Sequence, residues 1–335
     1  MVQTEGCSMG FHKGNLPSNK YKKILCKKDE IQKLEDSTTH VNDYDDCDTP
    51  VKEFYESFKA NHDDFKSNCK NENGPKCCRD VNYYLDLVTG IFKSSMLDDP
   101  DKNKLINYFE GLWEPTLREK DIYTCERHTD LESTRKRCVL HHLHDLKEDK
   151  DLIILYTEDY KKYLNKKWKK ILDYTNEISD NLFIKIENNS MGIVENYAKF
   201  LDSSDYICDT NLDELSTDDI TISRNIDSII NSISLDKISA NRDKNICYNK
   251  HYVDILKYKA SNVQRMNNAL SIGIALLGFF LILIFLYDFS PLGNLLRRRS
   301  KKKIEVDKNM REEMPELYEK SENGKSYITY HSVSH

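Results

Sequence analysis

Nineteen consecutive uncharged residues, Ala269 to Tyr287, read ALSIGIALLGFFLILIFLY. At about 1.5 Å per residue such a run makes a helix of roughly 28 Å, close to the hydrocarbon thickness of a bilayer. A core helix of a globular protein usually keeps a polar stripe, and this segment has none. The rest of the chain is polar, with a mean hydropathy of −0.70. A transmembrane helix over 269–287 is therefore expected, with Ala269, Leu276, Phe280, Leu283 and Tyr287 among the residues that meet lipid.

Charge sets the expected orientation. Arg297, Arg298, Arg299, Lys301, Lys302 and Lys303 follow the run closely, whereas the ten residues before it hold only Lys259 and Arg265. Basic residues collect on the cytoplasmic side of a span. The tail 288–335 is expected in the cytoplasm and residues 1–268 on the opposite face. The opening MVQTEGCSMG has neither a basic n-region nor an apolar h-region, so the late apolar run is expected to act as its own targeting signal.

All ten cysteines, Cys7, Cys26, Cys47, Cys69, Cys77, Cys78, Cys125, Cys138, Cys208 and Cys247, precede the run. An even set in an oxidising space reads as disulfides, with a pairing that spacing alone leaves open. Cys77 and Cys78 are not expected to bond each other, because a vicinal bridge strains the peptide between them. Formal charge divides at the same boundary, −8 before the span and +2 after it, within −6 overall. An acidic body excludes nucleic acid as its main partner, since that binding needs a basic footprint. The basic half of the tail suits an anionic inner leaflet.

Helical periodicity dominates before the span. Thr49-Pro50 predicts a helix start, with Val51, Phe54, Tyr55, Phe58 and Phe65 on one face. Tyr84, Leu85, Val88, Ile91 and Phe92 repeat the pattern, as do Leu105, Tyr108, Phe109, Leu112 and Trp113. So do Tyr156, Tyr160, Tyr163, Leu164, Trp168, Ile171 and Leu172, and, in a shorter helix, Ile193, Val194, Tyr197 and Leu201. Nothing comparable alternates with period two, so an all-α fold is expected: a helical, disulfide-containing ectodomain, a single C-terminal transmembrane helix and a short cytoplasmic tail. The aromatic stripes are core packing, not a ligand box. The expected divisions are a cysteine-bearing helical ectodomain over 1–201, a polar variable membrane-proximal region and stalk over 202–268, the span over 269–287 and the tail over 288–335. Within the second of these, Ile222, Ile226, Ile229, Ile230 and Ile233 suggest a further helical stripe between loops.

Chemistry-bearing motifs are sparse. Cys125-x-x-His128 followed by Cys138-x-x-His141, with His142 and His144 nearby, has the donor types of a zinc shell. Disulfide use of both cysteines is the competing reading and is favoured, because the compartment is expected to be oxidising. No dinucleotide or phosphate loop, no Gly-x-Ser-x-Gly and no His-Glu-x-x-His occurs. Acidic pairs such as Asp45-Asp46, Asp63-Asp64, Asp98-Asp99 and Asp218-Asp219 diverge on a helix and read as solvated surface. Asn188-Asn189-Ser190 is one glycosylation triplet. Neither an enzyme nor a cofactor is expected.

Several segments carry a family resemblance. They are Leu16-Pro17-Ser18-Asn19-Lys20-Tyr21, the CCRDVNYYLDL stretch from Cys77, the Tyr- and Lys-rich helix from Leu152 to Ile171, SPLGNLLRRRSKKKI from Ser290, and YITYHSV near the end. Together they resemble the PIR superfamily of malaria parasites, most closely its VIR branch, over nearly the whole chain. The resemblance implies a variant surface antigen exported into the infected red cell, with a helical cysteine-bearing ectodomain, one C-terminal span and no enzymatic activity. It implies a role in adhesion and immune evasion, with host cell-surface proteins or antibodies as partners besides the lipid bilayer. The alternative is a structural or trafficking protein of parasite-made membranes that works through its tail.

Overall fold

The computed structural model describes residues 11–26, 28–69, 74–117, 125–176, 181–235, 247–289, 295, 297–299 and 302. The chain divides into two compact units, Met1–Ala260 and Ser261–His335.

The first unit begins with two 3-10 turns, Lys13–Asn15 and Pro17–Asn19, and a short helix α1, Lys22–Leu25. Helices α2 (Lys28–Thr39), α3 (Tyr44–Lys66), α4 (Gly74–Lys93), α5 (Asp99–Leu117), α6 (Leu131–Leu155) and α7 (Thr157–Thr175) follow. The predicted stripes bury as their spacing requires: Val51, Phe54 and Phe58 of α3, Leu85, Val88 and Ile91 of α4, and Leu105, Phe109 and Trp113 of α5 share one core. On α7, Tyr160, Leu164, Trp168 and Ile171 enter a second core with α6 and the following segment. The start of α3 differs from expectation. Its N-cap is Asp43, whose side chain accepts from the Asp45 amide, and Pro50 lies inside the helix. α6 starts conventionally, with Asp130 accepting from the Ser133 amide at 2.9 Å.

The all-α expectation is corrected by a four-stranded sheet in this mostly helical unit. Strands β1 (Phe183–Glu187), β2 (Met191–Asn196), β3 (Ile220–Ser223) and β4 (Cys247–Tyr248) lie in the order β3-β1-β2-β4. β1 pairs antiparallel with β2 and β3, and β2 pairs parallel with β4. Ile193 and Val194, expected on a helix, are in β2; Tyr197 and Leu201 fall on the short helix α8, Tyr197–Asp202. β2 is buried through nearly its whole length, so it shows no in-out alternation and its period-two signal vanishes. The β1–β2 turn is closed by Asn188 Oδ1, which accepts from the Ser190 amide at 2.9 Å.

Regular elements also occur in the region read from sequence as a polar membrane-proximal stretch from residue 202. Ile222 is in β3, and α9, Ile226–Ser232, buries Ile229. Ile229 and Ile233 join Val194, Tyr252 and Leu256 in a third core, so the first unit runs on to Ala260. Tyr252 lies at the start of α10, Lys250–Phe289, and packs so closely on Gly192 that a Cβ there would sit 2.2 Å from the ring. Only glycine permits that approach.

Candidate functional site: an exposed apolar helix, two buried ionic clusters and a polar cleft

Among the described residues, one helix is long and apolar enough to cross a membrane, Lys250–Tyr287. Its apolar side chains are exposed, Leu276, Phe280, Leu283 and Tyr287 among them, and none of its most apolar window is buried. Each large apolar side chain left in water forgoes about 1.5–3 kcal/mol, so lipid is the solvent this helix fits. Ala269 lies in the same exposed stretch. Arg297, Arg298, Arg299 and Lys302 are exposed, and the Arg297 guanidinium sits 5.1 Å from the Tyr287 ring. Lys301 and Lys303 lie outside the described residues, as do Cys7 and the YITYHSV segment.

Three disulfides close in the first unit: Cys69–Cys77, Cys78–Cys125 and Cys208–Cys247. The adjacent Cys77 and Cys78 thus reach different partners. Cys47 and Cys138, read from sequence as disulfide candidates, are instead buried thiols. Both pack in apolar cores as small hydrophobic side chains. Burial also pushes up the Cys26 thiol, beside Glu30. The zinc-type motif does not converge. Cys125 is bonded to Cys78, His142 Nε2 lies 2.9 Å from the Ser203 carbonyl, and no group of three or more candidate ligands assembles among the described residues.

Two buried ionic clusters went unseen in the sequence. In the first, Asp145 of α6 accepts from Lys22 at 2.8 Å and from Lys167 of α7, with His141 Nε2 3.3 Å away. Asp80 of α4 stands 3.7 Å from the Lys22 ammonium, yet its Oδ2 has no hydrogen bond. Asp149 accepts from the Ser18 amide at 2.9 Å, the Ser18 hydroxyl at 2.6 Å and the Tyr160 hydroxyl at 3.0 Å, which straps the N-terminal turns to α6. Burial opposes the charge of Asp145, but the ammonium groups of Lys167 and Lys22 more than reverse this and hold its pKa well below the carboxylate range. For Asp80 burial prevails over Lys22 and Lys76 and lifts the pKa to about 6. For Lys167 burial prevails over Asp145 and lowers it to about 8. Burial also keeps three α6 histidines neutral: His141 is held well below its ordinary value, and His142 and His144 are lowered to about 3.

The second cluster is a clamp around Arg127. Its Nε donates to Glu110 at 2.8 Å, and its Nη1 donates to Asp86 at 2.8 Å and to the Asn82 side chain at 3.1 Å. Arg137 adds a second guanidinium to Asp86 at 2.8 Å. Burial opposes the Arg127 charge, and Asp86 and Glu110 more than compensate. This clamp floors a cleft of about 770 Å³ between α4, α5, the segment after Cys125, α6 and α7.

The signal for the first cluster was a charge placed on an apolar stripe. Lys167 sits between Leu164 and Trp168, and Asp145 and Asp149 follow His141 and His142 on the buried face of α6. No protein-family model, curated protein or solved structure matches this chain.

Proposed function

We propose that this chain is a single-pass membrane protein of the PIR type, a variant surface antigen whose body is displayed away from the cytosol for contact with host molecules. The observation that carries the reading is the pairing of one exposed apolar helix with a first unit closed by three disulfides. Disulfides persist in oxidising compartments, which supports a body on the non-cytosolic face. The exposed arginines at 297–299 then lie on the cytoplasmic side, in keeping with the bias of basic residues. The body presents a helical scaffold, and among its described residues no cluster assembles that could hold a metal.

Protease treatment of intact infected red cells tests this. An epitope placed in the exposed Ser216–Asp219 turn is expected to be cleaved in intact cells, while the chain stays in the membrane through an alkaline carbonate wash. Full protection of that epitope until permeabilisation favours the internal, tail-directed role and removes the display reading.

A further inference from the structure

The cleft over the Arg127 clamp is a site without an assigned occupant, and its chemistry is specific. Asn103, Asn107 and Gly111 follow one another at four-residue spacing along the exposed face of α5, so they line one wall in a row. The Asn103 Oδ1 accepts from Lys93 at 2.8 Å, which leaves its NH₂ group outward. Asn107 carries no side-chain hydrogen bond among the described residues, so two donors and a carbonyl oxygen face the space. Beside Gly111 nothing stands within 4 Å of where a Cβ would be. Tyr174 adds a half-buried ring, and its hydroxyl is occupied by the Asp86 carbonyl at 3.3 Å.

The local charge is balanced. Arg127 and Arg137 are matched by Asp86 and Glu110 beneath the cleft, and in the wall Lys93 is matched by Glu114. A nucleic acid, phosphate or sulfated chain needs a basic excess that this wall lacks. A protein partner that docks through a buried anchor needs a mostly apolar pocket, and here amides, hydroxyls and charges share the lining about equally with apolar groups. What remains is an uncharged ligand dense in hydroxyls, with faces that can lie on an aromatic ring. We infer that the cleft binds a neutral saccharide, with Asn103 and Asn107 bonding its hydroxyls and Gly111 leaving room for the ring. This deepens the display reading by naming the chemistry that the body would contact on a host surface.

The test uses the full chain in lipid nanodiscs and saturation-transfer NMR against lactose, N-acetyllactosamine and mannotriose. A heparin tetrasaccharide, 3′-sialyllactose and an uncharged peptide serve as comparison probes. At least one neutral saccharide is expected to bind at about 1 mM or tighter, with little dependence on salt. Gly111→Trp fills open space on an exposed helix face, and Asn107→Ala removes only an exposed amide, so both are expected to keep the parent melting temperature. Each is expected to weaken binding at least tenfold. Failure of all three neutral saccharides to bind overturns the inference, as does unchanged binding in Gly111→Trp or stronger binding of the heparin or peptide probe. Saccharide binding by a body that is protected in intact cells would remove the display reading and leave the cleft assignment standing.

Discussion

The two ionic clusters draw on the same helix and reach different ends. α4 gives Asp80 to the cluster built on lysines and Asp86 to the clamp built on arginines, and both carboxylates are buried. Asp86 meets two guanidinium groups, whose planar forks fill both its oxygens. Asp80 meets ammonium groups 3.7 Å and 3.9 Å away, and one of its oxygens is left without a hydrogen bond. The difference is geometric: the planar forks reach Asp86 within bonding distance, whereas both ammonium groups stop beyond bonding distance of Asp80, because Lys22 is committed to Asp145 and Lys76 to Glu148.

Breaking either cluster outright is the largest expected effect. Arg127→Met strands Asp86 and Glu110, and Asp145→Asn strands Lys22 and Lys167. Each should destabilise by about 3–5 kcal/mol, read as a shift in the urea midpoint of the full chain in detergent. Arg127→Lys sharpens the comparison, because it keeps the charge and loses the fork. Recovery of most of the stability by lysine would break the geometric account.

Acid separates the clusters next. The α6 histidines pack beside the lysine cluster, and all three have folded pKa values below the unfolded value of about 6.5. As pH falls through 6.5 the unfolded chain takes up protons that the folded chain refuses, so stability drops. Asp80 works the other way: its folded pKa of about 6 lies above the unfolded value, so it regains stability as pH falls from 6 toward 4. Asp149, also raised by burial, adds to that offset. Three histidines against one full carboxylate leave a net loss of about 2–3 kcal/mol per pH unit between pH 6 and 5. Urea titrations at pH 6.0 and 5.0 measure it, and equal midpoints at the two values would remove the assignment of neutral buried histidines.

The sequence showed the stripes and hid the clusters, for one reason. A stripe such as Tyr160, Leu164, Trp168 and Ile171 is written within five turns of one helix, so periodicity reveals it. The Lys22–Asp145 and Arg127–Asp86 pairs join residues distant along the chain, and local pattern carries no trace of the partner. The cysteines behave alike: their number suggested bridges, but the choice between Cys125 as a zinc ligand and as the partner of Cys78 is made by the approach of its segment to α4. β2 was lost because burial on both faces erases alternation, and the apolar helix was the easiest element to read because its length and composition are written in one unbroken run. The cleft had no advance signal, since Asn103, Asn107 and Gly111 read as an ordinary polar face until α4 and α7 are set opposite.

The smallest effect is the sharpest, because it turns on sign. Asp80→Asn keeps the shape of the side chain and removes its charge. At pH 7.5 the folded protein carries Asp80 ionised above a pKa of about 6, against a reference near 3.8, so the charge is held at a cost that burial imposes. Its loss should stabilise the chain, and because Lys22 surrenders some attraction at the same time, the net gain is about 1 kcal/mol. The gain should shrink below pH 5, where the folded carboxyl is already protonated. Asp86→Asn on the same helix should do the reverse, since it takes the shared anion from Arg127 and Arg137 and strands both guanidiniums. Two urea midpoints at pH 7.5 compare them, one above the parent and one below. Loss of stability in both would mean that the lysines satisfy Asp80 as fully as the arginines satisfy Asp86, and that the unbonded oxygen has no energetic weight.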